Sequence, residues 1–220
     1  MVNMSVPSSP APVEGFPQLR RRTPVQARSR RTIEKILQAA TEILVESGLP
    51  ALNTNAIAAR AKVNISSLYS YFPDKMAIVH ELAARFEDVR GQFLVEQLGR
   101  FAEDGDWEEL IDVSVNGLAK LRVDVPGGID LRRALQAVPE LRELDDRATR
   151  RSADFLAKAM CASVPDMEYD RAAVIALVIA ETVSRLLDLA FRAEPYNEAV
   201  LEEVRVITRR YLLPYVTPES

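Results

Sequence analysis

Apolar side chains recur every three or four residues along almost the whole of this chain, and no other feature restricts its fold as much. From Thr32 onward they fall at Ile33, Ile36, Leu37, Ala40, Ile43 and Leu44. This spacing places them on one face of an α-helix. No segment alternates polar and apolar residues as a half-buried strand would. We therefore expect an all-α protein.

Proline, glycine and capping residues divide the pattern into about nine helices. The predicted helices begin at or near Thr32, Thr54, Ile65, Pro73, Trp107, Leu131, Pro139, Asp170 and Asn197. Gly48 is expected to end the first helix. The last is expected to end before Pro214, because proline lacks the backbone N–H that a helix interior needs.

The second and third helices are short and predict a helix-turn-helix. Thr54 is expected to cap a helix that ends at Ala61, because its hydroxyl can accept a hydrogen bond from a free backbone N–H. Asn64 is expected to cap the next helix, which runs from Ile65 to Tyr71. The tight turn from Lys62 to Asn64 joins the two, and this length is typical of helix-turn-helix units.

Charge is divided unevenly along the chain. Ten basic and four acidic residues give the segment from Pro17 to Lys75 a net charge of +6, whereas the segment from Met76 to Ser220 carries −9. A basic segment suits nucleic acid, and the acidic remainder is expected to stay off the phosphates. A solvated basic linker explains the charge alone equally well.

Residues 1–27 are expected to form a disordered basic arm, because a stretch rich in proline and serine has too few apolar residues to build a core. The arginines in and after this arm are Arg20, Arg21, Arg22, Arg28, Arg30 and Arg31. The last three either enter a narrow minor groove or only attract phosphates, and the sequence does not separate these roles.

Several classes of function are disfavoured. The longest uncharged apolar run, from Ala172 to Ala180, is half of the ~18 residues that span a bilayer, so no membrane partner is expected. Cys161 is the only cysteine and no signal pattern is present, which favours a cytoplasmic protein. His80 is the only histidine, and neither a glycine-rich phosphate loop nor a nucleophile motif occurs. We expect neither an enzyme nor a metal site nor a cofactor.

The helix-turn-helix carries three specific runs: Thr54 to Ala58, Ala61 to Asn64, and Leu68 to Lys75, which reads Leu-Tyr-Ser-Tyr-Phe-Pro-Asp-Lys. With these runs the chain resembles the DNA-binding head of the TetR family of bacterial transcriptional regulators. The family usually has glycine where this chain has Lys62, so Lys62 must adopt a turn conformation that is less costly for glycine. The resemblance implies a DNA-binding domain over residues 28–75.

The resemblance also places the third helix in the major groove of double-stranded DNA, where short side chains can reach the bases. The expected DNA contacts are Arg28, Arg30, Arg31, Thr54, Asn55, Asn64, Ile65, Ser66, Ser67, Tyr69, Tyr71 and Lys75. The two tyrosines either hydrogen-bond phosphates or pack in the head's core. Lys75 begins the fourth helix, where its charge and the helix dipole both favour phosphate.

For residues 76–220 the resemblance implies a helical effector-binding and dimerisation domain, with the last two helices forming a homodimer interface. The candidate interface residues are Val183, Leu186, Leu187, Val204, Ile207 and Tyr211. The candidate pocket residues are polar or aromatic side chains on apolar faces, namely Trp107, Asn116, Gln136, Glu181 and Arg185.

The expected function is therefore a repressor that binds a palindromic operator as a dimer. A small, largely apolar effector, held between helices 4 and 8, is expected to release it. Two alternatives stay open at this stage. One is a constitutive DNA binder whose body has no effector pocket, and the other is an all-helical enzyme.

Overall fold

The computed structural model describes residues 27–217, without the side chains of residues 27, 28 and 102–104. Every regular element in this range is a helix, as the apolar spacing predicts. The helices are α1 (Ala27–Ala51), α2 (Thr54–Ala61), α3 (Ile65–Tyr71), α4 (Lys75–Asp104), α5 (Trp107–Asp124), α6 (Gly128–Ala137), α7 (Pro139–Ser163), α8 (Tyr169–Ala190) and α9 (Glu198–Val216). The predicted disordered arm, except for residue 27, lies outside the described residues. No helix within them combines the length and apolar character that crossing a bilayer requires.

Two predicted helix ends are wrong, and each has a local cause. Asn53, not Thr54, caps α2, because the Asn53 side-chain oxygen accepts a hydrogen bond from the Ala56 N–H at 2.8 Å. Thr54 is the first helical residue instead. α9 continues through Pro214 to Val216 rather than ending before the proline. Near the end of α1 the backbone does leave helical geometry at Gly48, with φ 73°, as predicted.

The helices enclose two clusters of buried apolar side chains. The first joins α1, α2, α3 and the first half of α4 to α6 and the start of α7. The second joins the end of α4 to α5, α7, α8 and α9. Ile78 and Phe86 of α4 lie in the first cluster and Phe101 of the same helix in the second. α4 is therefore the helix that both clusters share over most of its length.

Arg132 of α6 lies at the centre of a buried network of charged groups. Its side chain is 3% exposed, and its guanidinium donates to Asp145 of α7 at 2.5 Å and to Asp188 of α8 at 2.7 Å. It also pairs with Glu87 of α4 at 3.2 Å and donates to Ser184 of α8 at 3.1 Å. One side chain thus ties together four helices from both clusters.

Asp188 holds a second arginine into this network. Arg122 of α5 donates to it at 3.1 Å, and Gln136 of α6 donates to it as well. Burial alone would raise the pKa of Asp188, but the hydrogen bond and charge of Arg132, with Arg122, outweigh burial and lower it. Burial raises the pKa of Glu87 despite the nearby charges of Arg90 and Arg132. The network is thus anchored by ionised Asp188.

Arg132→Met should lower the free energy of unfolding by about 3–5 kcal/mol, because it leaves buried carboxylates without their main partner. The neighbouring Arg133 forms only exposed ion pairs, so Arg133→Met should cost less than about 1 kcal/mol. Urea unfolding of both variants at neutral pH measures the difference. Equal losses would contradict the central position of Arg132.

The same pair of variants should show a defined pH dependence. The folded-state pKa of Asp188 lies below its ordinary value of 3.8, so its contribution to stability is present above that value and is lost as pH falls through the lowered pKa. The deficit of Arg132→Met relative to the parent should therefore shrink once the pH drops below 3.8. A deficit that stays constant would show that its origin is packing.

Gly117 of α5 provides the space for the close approach of α4. A Cβ atom at this position would lie 2.0 Å from Phe93 Cζ, whereas a Cβ at Gly99 of α4 would meet nothing within 4 Å. Gly99→Ala should therefore gain up to about 1 kcal/mol from helix propensity. Gly117→Ala should be less stable than that variant by about 1–3 kcal/mol, because the Phe93 ring must move. Thermal unfolding measures both, and equal gains would show that the ring yields freely.

Candidate DNA interface and ligand cavity

α2 and α3 form the predicted helix-turn-helix on the first apolar cluster. Ile57 of α2, together with Leu68 and Phe72 at α3, is fully buried against α1 and α4. Lys62 between the helices has φ 53° and ψ 44°, the left-handed conformation that the sequence requires of it. The backbone N–H of Val63 then bonds to the Ala58 carbonyl at 3.0 Å and closes the turn. The orientation of α3 is thereby fixed from both ends.

Asn64 caps α3, as predicted. Its side-chain oxygen accepts from the Ser66 N–H at 2.9 Å and from the Ser66 hydroxyl at 2.7 Å. The rest of the Asn64 side chain is exposed at the start of the helix. This residue therefore has a structural role that is independent of any contact with DNA, and both roles are affected when it is replaced.

The two tyrosines of α3 have different surroundings. Tyr69 is 40% exposed, and its hydroxyl lies 3.0 Å from the Thr54 hydroxyl at the start of α2. Tyr71 is half-buried and packs against the first apolar cluster, as Ile65 does. Of the two interpretations that the sequence leaves open, packing in the head's core describes Tyr71, whereas the Tyr69 hydroxyl remains at the surface.

The other predicted DNA contacts lie around these helices. Exposed side chains belong to Arg30, Arg31, Asn55, Asn64, Ser66 and Tyr69, and half-buried ones to Thr54, Ile65, Ser67, Tyr71 and Lys75. The side chain of Arg28 is outside the described residues. The contacts that the structure shows within this set are Thr54 with Tyr69 and Asn64 with Ser66. DNA contact itself stays a prediction for all of them.

Asp74 changes the electrostatics expected at Lys75. The Asp74 carboxylate caps α4 by accepting from the Ala77 N–H at 2.9 Å, so a negative charge already occupies the start of this helix. Lys75 follows it directly as the first helical residue. The ammonium group, rather than the helix dipole, is therefore the feature of this helix start that can attract a phosphate.

A cavity of about 110 Å³ lies in the second apolar cluster. Its walls come from α4 and α8, the helices between which a ligand is expected, and from α5, α7 and α9. The lining is mostly aliphatic: Leu94, Leu98, Leu110, Ile111, Val115, Leu118, Leu156, Ile179, Ala180, Val183, Leu187 and Leu212. Two charged side chains, Arg90 and Arg122, and the hydroxyl groups of several serines and threonines complete it.

Sequence reasoning did not single out these two arginines, although a signal was present. Arg90 lies four residues after Phe86 on the apolar face of α4, and Arg122 lies four residues after Leu118 on that of α5. A charged residue at a position where the helical period calls for an apolar one is costly to bury without a purpose or a partner. Both side chains are in fact buried, at 6% and 3% exposure.

The five predicted pocket residues lie outside this cavity wall. Trp107 is buried and packs on Phe101 with ring centroids 4.3 Å apart. The remaining four have polar partners elsewhere: Asn116 with Arg205, Gln136 with Asp188, and Glu181 with Arg185. The structure therefore suggests a different set of ligand contacts, drawn from the cavity wall.

The candidate dimer residues are divided between the interior and the surface. Val183, Leu187 and Val204 are buried within the chain, and the first two line the cavity. Leu186 and Tyr211 are half-buried and Ile207 is 40% exposed. α8 instead exposes four other apolar side chains: Val174, Leu177, Val178 and Leu189. Because α8 is apolar on nearly every side, its sequence does not indicate which face is turned inward.

Comparison with known proteins identifies both parts of the chain. A family model described as bacterial regulatory proteins of the tetR family matches residues 36–82. A second model, described as the tetracyclin repressor-like C-terminal domain, matches residues 105–216. The HTH-type transcriptional regulator YvkB of Bacillus subtilis is 32% identical over 75 residues, and this match spans 34% of the present chain and 40% of that protein.

Solved structures agree with these matches over most of the chain. A TetR-family transcriptional regulator from Streptomyces coelicolor is 29% identical and has a TM-score of 0.62, covering 82% of this chain and 97% of its own. The TetR-family repressor FadR of Thermus thermophilus, solved in complex with lauroyl-CoA, shares the fold at 18% identity. Its TM-score is 0.59, with 86% of this chain and 96% of its own covered. The chain belongs to the TetR family of bacterial transcriptional regulators, and it is a DNA-binding regulator.

Proposed function

We propose that this protein is a dimeric repressor that binds a palindromic operator through α3 and is released when a small molecule enters the cavity. The observation that carries the proposal is the course of α4. This helix starts at Lys75, directly after the helix-turn-helix, and supplies Arg90, Leu94 and Leu98 to the cavity wall. A DNA-binding element and a ligand cavity are thus connected by one continuous helix.

The connection supplies a physical route for release. The first half of α4 is packed into the head's core, while its later turns face the cavity. A ligand that displaces these turns tilts the helix, and the head moves with it. A hundredfold decrease in operator affinity needs a coupling free energy of only about 2.7 kcal/mol, which is within the usual range for allosteric proteins.

A homodimer is supported by the exposed face of α8. Val174, Leu177 and Val178 form an apolar strip at helical spacing, and Ile207 of α9 is exposed as well. Apolar side chains grouped in this way favour a protein partner over water. A second copy related by a two-fold axis would cover both strips and would present two α3 helices to a palindrome.

The cavity favours a ligand-responsive protein over the constitutive binder that was the alternative. A body built only as a dimerisation scaffold gains stability from filling such a space. The structure of the FadR protein with lauroyl-CoA supports the view that this fold accommodates a small-molecule complex. Because the operator is chromosomal in a bacterium, the proposed place of action is the cytoplasm.

The DNA contacts can be separated into positioning and reading. Lys75→Ala should weaken binding to specific and random DNA alike, and should flatten the slope of log affinity against log salt by about one unit per head. Ser67→Ala should act mainly on the preferred site, by about 1–3 kcal/mol if the hydroxyl reads a base. Fluorescence anisotropy on both DNAs measures these effects, and equal losses for the two variants would contradict the assigned roles.

Asn64 requires a different design, because it caps α3. Asn64→Ala would remove the cap and the contact together, so any loss of binding would have two explanations. Asn64→Asp keeps a capping oxygen and changes only the groups that face outward. Its thermal stability should match that of the parent, which makes it the variant to use at this position.

The dimer face can be tested with two valines of equal exposure. Val178 of α8 is 43% exposed and Val95 of α4 is 44% exposed. Val178→Glu should produce monomers, because it buries a charge in the proposed interface, and should weaken operator binding at least about tenfold. Val95→Glu should leave assembly and binding unchanged. Sedimentation that shows an intact Val178→Glu dimer would place the interface elsewhere.

A further inference from the structure

The charged groups in the cavity wall have one sign. Arg90 and Arg122 line it, and none of the wall residues that the structure describes is a carboxylate. The acidic partners of these arginines, Glu87 and Asp188, belong to the network around Arg132 and are absent from the lining. A ligand in the cavity therefore meets an apolar surface with two guanidinium groups in it.

Each of these guanidinium groups keeps a buried N–H without a hydrogen-bond partner. Arg122 donates from Nη1 to the Leu118 carbonyl at 3.0 Å and from Nη2 to Asp188 at 3.1 Å, but its Nε has no partner. Arg90 is paired with Glu87 through Nε at 2.6 Å, yet its Nη2 has none. Unsatisfied donors of this kind are rare in folded proteins, because their desolvation is not compensated.

The local electrostatics also favour a negative ligand. Burial and the positive charge of Arg132 lower the pKa of Arg122 to about 10, Arg90 contributes in the same direction, and the opposing charge of Asp188 only partly offsets them. Three arginines are crowded around the end of the cavity. An anion among them would relieve this repulsion, whereas a cationic ligand would increase it.

We propose that the effector is a small amphipathic carboxylate, held by hydrogen bonds from Arg90 and Arg122 to its carboxylate and by the leucine-rich wall around its apolar part. This inference rests on the proposed function, in which the cavity is the effector site. Two unpartnered donors correspond to the two oxygens of one carboxylate. A phosphate monoester has a further charge and a further oxygen, for which the wall holds no third cation.

The size of the cavity limits the apolar part. A cavity of ~150 Å³ is known to hold benzene, and the volume here is about 110 Å³. The ligand is therefore expected to have an apolar part of about six carbon atoms. Hexanoate is a suitable probe, with hexan-1-ol, hexylamine and hexyl phosphate as ligands that differ from it only in the polar group.

Calorimetric titration of the unchanged protein with these four compounds is the first test. Hexanoate should bind about tenfold more tightly than hexan-1-ol, as expected for a charge-assisted pair of hydrogen bonds, and hexylamine should bind most weakly. Hexan-1-ol binding as tightly as hexanoate would show that the arginines take no part. Tighter binding of hexylamine or hexyl phosphate would overturn the choice of a carboxylate.

Variants assign the effect to the two arginines. Arg90→Met and Arg122→Met should each remove the preference for hexanoate, while binding of hexan-1-ol stays within about twofold. Arg142→Met, the same substitution at an exposed position of α7, should change neither. A preference that survives in both cavity variants would refute the proposal. If a variant also loses hexan-1-ol binding, Arg90→Lys replaces it, since it keeps the charge and should retain the preference for hexanoate over hexan-1-ol; loss of that preference would count against the proposal.

A parallel measurement of operator binding separates this inference from the proposed function. If hexanoate binds through the arginines but leaves operator affinity unchanged, the release mechanism is wrong and the carboxylate site stands. If hexan-1-ol releases the operator as effectively as hexanoate does, the release mechanism stands and the carboxylate site is wrong. The two ideas therefore fail on different readouts.

Discussion

The buried guanidinium of Arg132 is the interaction on which the arrangement of this protein depends. It contacts acidic groups on α4, α7 and α8 from its own position on α6, so helices from both apolar clusters meet at one side chain. An ion pair inside a protein gains little net stability unless its geometry is complete. Its stronger effect is on specificity, because only one relative placement of the four helices satisfies all of its hydrogen bonds.

This network also lies directly beside the cavity. Arg122 belongs to both, since one edge of its guanidinium binds Asp188 while the side chain lines the cavity, and Arg90 has the same double position through Glu87. A change at the cavity is therefore felt by the groups that hold α4 against the other helices. In the proposed mechanism this coupling, rather than soft packing, transmits the presence of a ligand to the head.

The parts of the fold that could be predicted from the sequence are those set by local interactions. The helical period, the breaks and the caps at Asn64 and Asn197 involve residues within four positions of one another, and the structure confirms them. The left-handed turn at Lys62 followed from the same short-range reasoning. The cap of α2 was misplaced by one residue because Asn53 and Thr54 are both good capping residues, and propensity does not separate them.

The cavity could not be predicted in this way, because its residues are brought together from five helices. Their pairing depends on which faces meet, and α8 is too uniformly apolar to indicate this. Val183 and Leu187 illustrate the difficulty: their sequence fits an interface between two chains, whereas the structure places them in the wall of the cavity. For Gln136 and Asp188 the decisive contact spans 52 positions, which no local pattern encodes.

The cap at Asn64 has a consequence for how such a regulator can diverge. A residue that both starts the recognition helix and faces outward cannot change its base preference without also changing the stability of that helix. Ser66 is constrained with it, because its hydroxyl is bound to the same oxygen. New operator preferences are therefore most accessible to evolution through Asn55 and Ser67, which belong to neither hydrogen bond, and duplicated copies of this protein would be expected to differ there first.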